Sequence, residues 1–466
     1  MTYSPLAMTS MVLILMLTTL ALFFFPHPLI LIVIGLIPFA LWGMVSFSFY
    51  IVLAFVVFSF FRIHEVFPFL EPLKLPLLLA LASIFVIFLR ATISKNLNPY
   101  WCPQFTYLFL FFILVTIAIP FASNVAVAIK SWSGTYSKII LMTFIIAWMM
   151  RKEIHFITAS RVFIFAGACV GLVALYNKFN NIGLVEGTRV TIGRSIGSLL
   201  GDPNDLALVL LYPMAFAIAT FLEKSLSKFE RLFSFTTFCI LLYAILATQS
   251  RGGLLGFLAV ISLFAYNRIR SKVLLFSGGA ISVMILFIVA GISERSSGGA
   301  AEAGIDESAM GRLYAWEAAW NMALDNPILG VGISNFYYNY FYYSPHWDGL
   351  NHAVHSTWFG VLAESGFVGL TLFVSLIVST LLMSLKMLKT VNDECHTPGI
   401  RVALNAAPAG IIGFIVSGTF LTQGFIWAIY LQVALVIALN RYLTSKNNQL
   451  KKSNPIQATT QDEQKL

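Results

Sequence analysis

Long apolar runs and short polar breaks alternate from the first residues almost to the end of the chain. A helix needs about 20 mostly apolar residues to cross a hydrocarbon core. Inside that core its backbone must satisfy its own hydrogen bonds. On this template the runs predict spans near 7–25, 28–44, 46–61, 73–90, 104–121, 135–150, 161–176, 204–221, 232–249, 252–267, 272–291, 366–385, 402–421 and 424–441. The stretch 28–61 is continuous and holds Pro38, so it fits either a tight hairpin of two short helices or something less regular. The expected number is therefore 12–14. A β-barrel would alternate in short segments instead. The expectation is an all-α polytopic membrane protein with one large polar loop.

Composition agrees. Of 466 residues, 59% are apolar and only 11% charged, against about 25% charged in a soluble domain. Mean hydropathy is +0.85. The net charge of +9 sits in short loops, as bilayer orientation requires, and is not a nucleic-acid signal. Arg151, Lys152 and Arg161, then Lys224, Lys228 and Arg231, then Arg268, Arg270 and Lys272 all fall on one side of the span pattern. Lys386, Lys389, Arg401 and the tail lysines join them. That side is expected to be cytoplasmic, with both termini. Residues 177–203 and 292–365 then face outward. The second stretch has no Lys, two Arg and eight acids. No cysteine falls in an outward loop, so no disulfide is expected. The first span follows Met1 without a basic lead, so no cleavable signal is expected. The organisation is 1–150 and 151–291 as membrane helices, 292–365 as the loop, 366–441 as the last spans and 442–466 as a disordered tail.

The unusual polar residues gather on the outward side. Arg189 and Arg194 lie in EGTRVTIGRSIGSLLGDPND, residues 186–205. Arginines there run against the positive-inside bias and suit an anion, since a guanidinium binds phosphate bidentately. A surface ion pair with Glu186 is the plainer alternative. Asp202-Pro203-Asn204-Asp205 reads as a helix start, or less plainly as a metal site. Arg251 sits in a tight turn, TQSRGG, whose Gly252 and Gly253 allow positive φ and close approach. It could reach a diphosphate at the headgroup level or simply snorkel. In the large loop, residues 293–304 are rich in Ser, Gly and Ala and expected to be mobile. Residues 311–324 read as a helix starting near Arg312, with Leu313, Trp316 and Trp320 on one apolar face. FYYNYFYY at 336–343 fits an interfacial belt or a sugar platform. His346, His352 and His355 follow; the last two would share a face on a helix. A surface histidine can be neutral and accept a proton. It can equally be structural, and no HExxH or Cys partner supports a metal. The spans hold almost no charge at mid-depth, unlike a transporter.

Four segments in series carry a resemblance: GDPNDLALVLLYP at 201–213, SRGGLLG at 250–256, GRLYAWEAAWNMALDNPILGVGISNF at 311–336 and HSTWFGVLAESGFVGL at 355–370. In order and spacing they resemble the O-antigen ligase and O-antigen polymerase superfamily. The resemblance covers roughly 150–440 and is specific for the superfamily, not for one activity within it. It implies a glycosyltransferase of the bacterial inner membrane, without metal or cofactor and with inversion. The implied donor is an undecaprenyl-diphosphate-linked glycan. The implied acceptor is lipid A–core for a ligase, or another lipid-linked chain for a polymerase. Membrane lipids surround it, and the active site faces the periplasm. The resemblance puts the essential arginine on Arg251 and the loop histidine on His355. Arg194, Arg189 and Arg312 are matched as diphosphate or glycan contacts. A relative acting on protein Ser or Thr and a membrane anion transporter are the rival readings.

Overall fold

The computed structural model describes residues 29–92, 99–266, 307–390 and 396–453, with residues 16, 268, 269, 271, 273 and 277–281. The expected span 7–25 (Met16 apart), most of 272–291 and the stretch 293–304 lie outside the described residues.

The described chain is helical. In order come α1 (Leu29–Ser46), α2 (Ser48–Ser59), α3 (Leu75–Thr92), α4 (Pro103–Ala118), α5 (Val125–Ser131), α6 (Ser137–Met149) and α7 (Glu153–Phe179). Then follow α8 (Pro203–Leu222), α9 (Lys228–Thr248), α10 (Arg251–Tyr266), α11 (Glu307–Asp325) and α12 (Phe336–Tyr343). The last are α13 (Thr357–Leu388), α14 (Pro398–Gly418) and α15 (Trp427–Ser453). Every predicted apolar run that falls among the described residues is a helix. Only eight are long and apolar enough to cross a membrane alone, or nine with one bent pair. The shortfall from 12–14 has three sources: α2 and α6 have 12 and 13 residues, α10 has 16, and two expected spans are not described. The 28–61 stretch is neither one rod nor a folded-back hairpin. Residues Pro38–Ser46 and Ser48–Ser59 meet at 73°. A π-turn at Trp132–Tyr136 joins α5 to α6. The tail expected to be disordered from 442 is helical to Ser453.

Burial explains the order of the bundle. In α8 every residue from Leu206 to Thr220 is buried, as expected for a helix apolar all round. It packs on α7, α9, α10 and α14, and α14 packs in turn on α10, α13 and α15. By contrast α3 buries only Ser83, Val86 and Leu89 and offers the rest of its surface outward.

The two ends of the bundle differ chemically. One, here the lower end, joins helices through ion pairs and polar contacts: Arg161–Glu230 at 2.6 Å, Arg401–Glu223 at 3.0 Å and Tyr442 donating to Glu153 at 3.0 Å. The upper end holds residues 180–202, the starts of α8, α10 and α13, and the layer α11–α12. That layer has its own small core of Ala315, Ala318, Ala319, Met322, Phe336 and Tyr340. The buried face of α11 is thus 315–318–319–322. Leu313 and Trp320 of the expected face are half-exposed; Trp316 stacks on Phe359 at 5.1 Å.

Candidate functional site

Three helices begin side by side at the upper end, each with a polar cap. Asp202 Oδ1 accepts from the backbone N–H of Asn204 (2.7 Å) and Asp205 (3.3 Å) and opens α8, with Pro203 in the first turn. The helix-start reading of 202–205 holds. Ser250 Oγ accepts from Gly253 N at 3.1 Å and opens α10. Ser356 Oγ accepts from Phe359 N at 3.4 Å and opens α13. Each start leaves N–H groups and the positive end of a helix dipole facing the same end of the bundle.

Close packing sets these starts against one another. A Cβ on Gly253 would lie 2.5 Å from Ala207 Cβ, so α10 can approach the first turns of α8 only with glycine there. Gly252 and Gly253 are helical; the positive φ in this turn belongs to Gln249 at 51°. The two glycines serve close approach and not a left-handed turn. The segment after α14 fills the space between α10 and α13. Thr357 Oγ1 donates to Leu421 O at 2.7 Å, and Trp358 Nε1 donates to Thr419 Oγ1 at 3.0 Å. Gln423 Nε2 donates to Asp205 Oδ1 at 2.5 Å. Phe420 sits in the centre: a Cβ on Gly252 would be 3.0 Å from its Cβ, and the Arg312 guanidinium lies 6.0 Å from its ring centroid. Gly252 of α10 and Arg312 of α11 therefore approach Phe420 from two helices, and Arg251 occupies the first position of α10 beside Gly252.

Arg189 is buried. Its Nε donates to Thr248 O at 3.1 Å and a terminal nitrogen donates to Asn204 Oδ1 at 2.9 Å, with Glu186 3.6 Å away. It ties the 180–202 loop to the end of α9 and the start of α8. The ion pair with Glu186 is thus present. Arg194 donates to Gly201 O at 3.2 Å. The same loop is held from the N-terminal side, where Ser198 donates to Glu65, itself paired with Arg62.

His355 immediately precedes the cap of α13 in a left-handed conformation, φ 46°. Strain of this kind in a non-glycine residue persists only where the surroundings enforce it. Burial pushes its pKa below 6.5, and the charge of Arg312 pushes it further; Asp202 opposes, while His352 and Arg189 add to the lowering. The imidazole is therefore neutral near pH 7. His352 and His355 do not share a helical face, because 351–356 is not helical. His352 is instead held by Asp348 at 3.0 Å, and His346 stacks on Tyr314 at 3.9 Å beside Glu317.

Some residues that organise the site carried no signal strong enough to single them out. Glu364, buried on α13, accepts from Ser334 N (2.8 Å) and Phe336 N (3.2 Å) and so anchors the start of α12. Asn335 is fully buried; its Oδ1 accepts from Asn124 N (2.9 Å) and Ser123 Oγ (3.1 Å). Gly366, at φ 69°, breaks α13 and lets Phe367 N donate to Pro327 O at 2.8 Å. The cue was there: polar residues wedged between glycines inside an apolar segment, GVGISN and AESG.

No curated protein matches the chain. Residues 236–374, the stretch that contains Arg251, Arg312 and His355, match the family model for O-antigen ligase, so over this stretch the chain is similar to that family.

Proposed function

We propose that this protein is a glycosyltransferase that moves a glycan from undecaprenyl diphosphate to a hydroxyl of lipid A–core, on the periplasmic face of the bacterial inner membrane. One observation carries the reading. A neutral histidine lies within the electrostatic reach of Arg312, Asp202 and Arg189, at the end of the bundle where Arg251 opens α10. The lower end, rich in Lys and Arg, faces the cytoplasm on this reading, together with both termini.

The chemistry follows from the residues. The acceptor hydroxyl oxygen attacks the anomeric carbon of the donor while His355 takes its proton. The bond from that carbon to the diphosphate oxygen breaks, its electron pair leaves with undecaprenyl diphosphate, and the anomeric centre inverts. Charge growing on the leaving diphosphate meets the guanidinium groups of Arg251 and Arg312 and the starts of α10 and α13. Arg194 supplies a further contact from the outward loop. We assign Arg189 to positioning: its bond to Thr248 O sets the turn that presents Arg251. The exposed rings of Tyr337, Tyr338 and Tyr342 offer sugar-stacking faces beside the site. With guanidinium groups and helix starts carrying the charge, the scheme uses no metal or cofactor.

The test is transfer by purified protein from an undecaprenyl-diphosphate glycan, with and without lipid A–core. Label on lipid A–core supports the ligase reading. Longer lipid-linked chains without that acceptor make the protein a polymerase. Anion flux in proteoliposomes without any transfer would overturn both.

A further inference from the structure

A cavity of about 940 Å³ opens at the lower end of the bundle, far along the helices from His355. The turn between α8 and α9, the last turns of α10 and α13 and the first turns of α14 enclose it. Lys224, Arg268, Lys389 and Arg401 line it, and the one carboxylate among its described lining residues is Glu223. That carboxylate is already engaged. Arg401 donates to both of its oxygens, at 3.0 and 3.1 Å, and Ser225 donates to it as well. Burial pushes the Glu223 pKa up, but these bonds outweigh it and hold the carboxyl below its usual range, so the pair stays ionised. Subtracting that pair leaves Lys224, Arg268 and Lys389 facing a shared space. The lining is also apolar in part, through Leu222, Leu263, Leu385, Leu388 and Tyr266.

Like charges gathered beside low-dielectric helix ends repel one another, and an anion between them removes that cost. A small aqueous anion would use the cations and leave the leucines unused. A phosphate carrying an acyl chain uses both, and basic pockets between membrane helices suit such headgroups. We propose that this cavity binds the phosphate of an anionic phospholipid through Lys224, Arg268 and Lys389, with a chain lying along Leu263, Leu385 and Leu388. The site is separate from the transfer chemistry, and His355→Ala leaves it intact.

The experiment uses the full chain, delipidated in detergent, titrated separately with phosphatidylglycerol, phosphatidylcholine and inorganic phosphate. Bound lipid is counted by native mass spectrometry and the thermal midpoint is followed. The wild type is expected to prefer phosphatidylglycerol over phosphatidylcholine by roughly 10-fold or more. Lys224→Ala/Lys389→Ala loses that preference. Lys228→Ala/Lys386→Ala removes the same charge at the same end, outside the cavity, and keeps it. Equal losses in the two double variants, or no preference in the wild type, overturn the site. Inorganic phosphate that alone reproduces the full midpoint shift overturns the lipid assignment in favour of a soluble phosphate.

Discussion

The two ends of this bundle use their carboxylates differently. At the lower end acids meet bases across helices, as in Arg161–Glu230 and Arg401–Glu223. At the upper end Asp202 and Glu364 are spent on backbone N–H groups, fixing the start of α8 and the start of α12. Ion pairs occur there too, Arg62–Glu65 and Arg189–Glu186, but within three residues along the chain, while Arg189, Arg194 and Arg312 also lean on Thr248 O, Gly201 O and the Phe420 ring. Pairing at the lower end joins helices. Capping at the upper end fixes the directions in which loops and side chains leave the helices, which is what a site for a charged ligand requires.

The comparison breaks first at the chemistry. His355→Ala and Arg251→Ala are each expected to lower transfer by about 100-fold or more while the thermal midpoint stays near that of the wild type. Full activity in either variant, measured by transfer of labelled glycan, removes that residue from the scheme. Next comes packing. Gly253→Leu must push α10 off Ala207, and overpacking of this kind costs about 1–3 kcal/mol. Its midpoint should drop, whereas Gly134→Ala, with nothing within 4 Å of the added carbon, should not move it. Asn335→Ala strands the partners of a buried amide on Ser123 and Asn124, a cost of about 1–3 kcal/mol. Limited proteolysis should then cut the 326–343 segment faster than in the wild type.

A subtler effect lies in pH. Since burial and Arg312 hold the His355 pKa below 6.5, the free base persists down to that lowered value. Transfer should therefore fall only as pH drops through it. Arg312→Gln removes a positive neighbour, so the pKa rises and the acid limb of kcat/KM moves to higher pH. An unmoved limb would show that His355 is not the titrating base. For stability the sign is the same: unfolded His355 binds protons near 6.5 before the folded one does, so acidification below 6.5 destabilises the fold. The smallest effect belongs to the lower end. Arg161→Ala, whose side chain is 62% exposed, should cost about 0–1 kcal/mol and leave transfer unchanged.

How much of this was readable beforehand varies by residue. The α8 start at Asp202-Pro203 was, because capping is local chemistry within four residues. The helical character of 311–324 was as well, but its buried face was not. Leucine and tryptophan looked like the core, yet small alanines pack inward and Leu313 and Trp320 are left half-exposed, with only Trp316 of that face packed against Phe359. Close approach to α13 selects volume as well as hydrophobicity. The histidine spacing misled for a related reason: three residues apart means one face only on a helix, and 351–356 is not helical.

Hydrophobicity adds up along a segment, so the apolar runs alone marked the protein as a multi-helix membrane protein and located its described helices, although the ends of α7, α13 and α15 extend well beyond the expected spans. Charge bias between breaks likewise separated the two ends. What the residues could not say is which distant ones meet. Gly252, Phe420, Arg312 and His355 come from four segments; Gly252 and Arg312 both reach Phe420, and the Arg312 charge reaches His355. The fate of Arg189 was decided in the same way. Its sequence context reads as an anion contact or an ion pair with Glu186, and the packed helices add Thr248 and Asn204 as partners. Those partners lie 59 and 15 residues away, so only folding brings them within hydrogen-bond range.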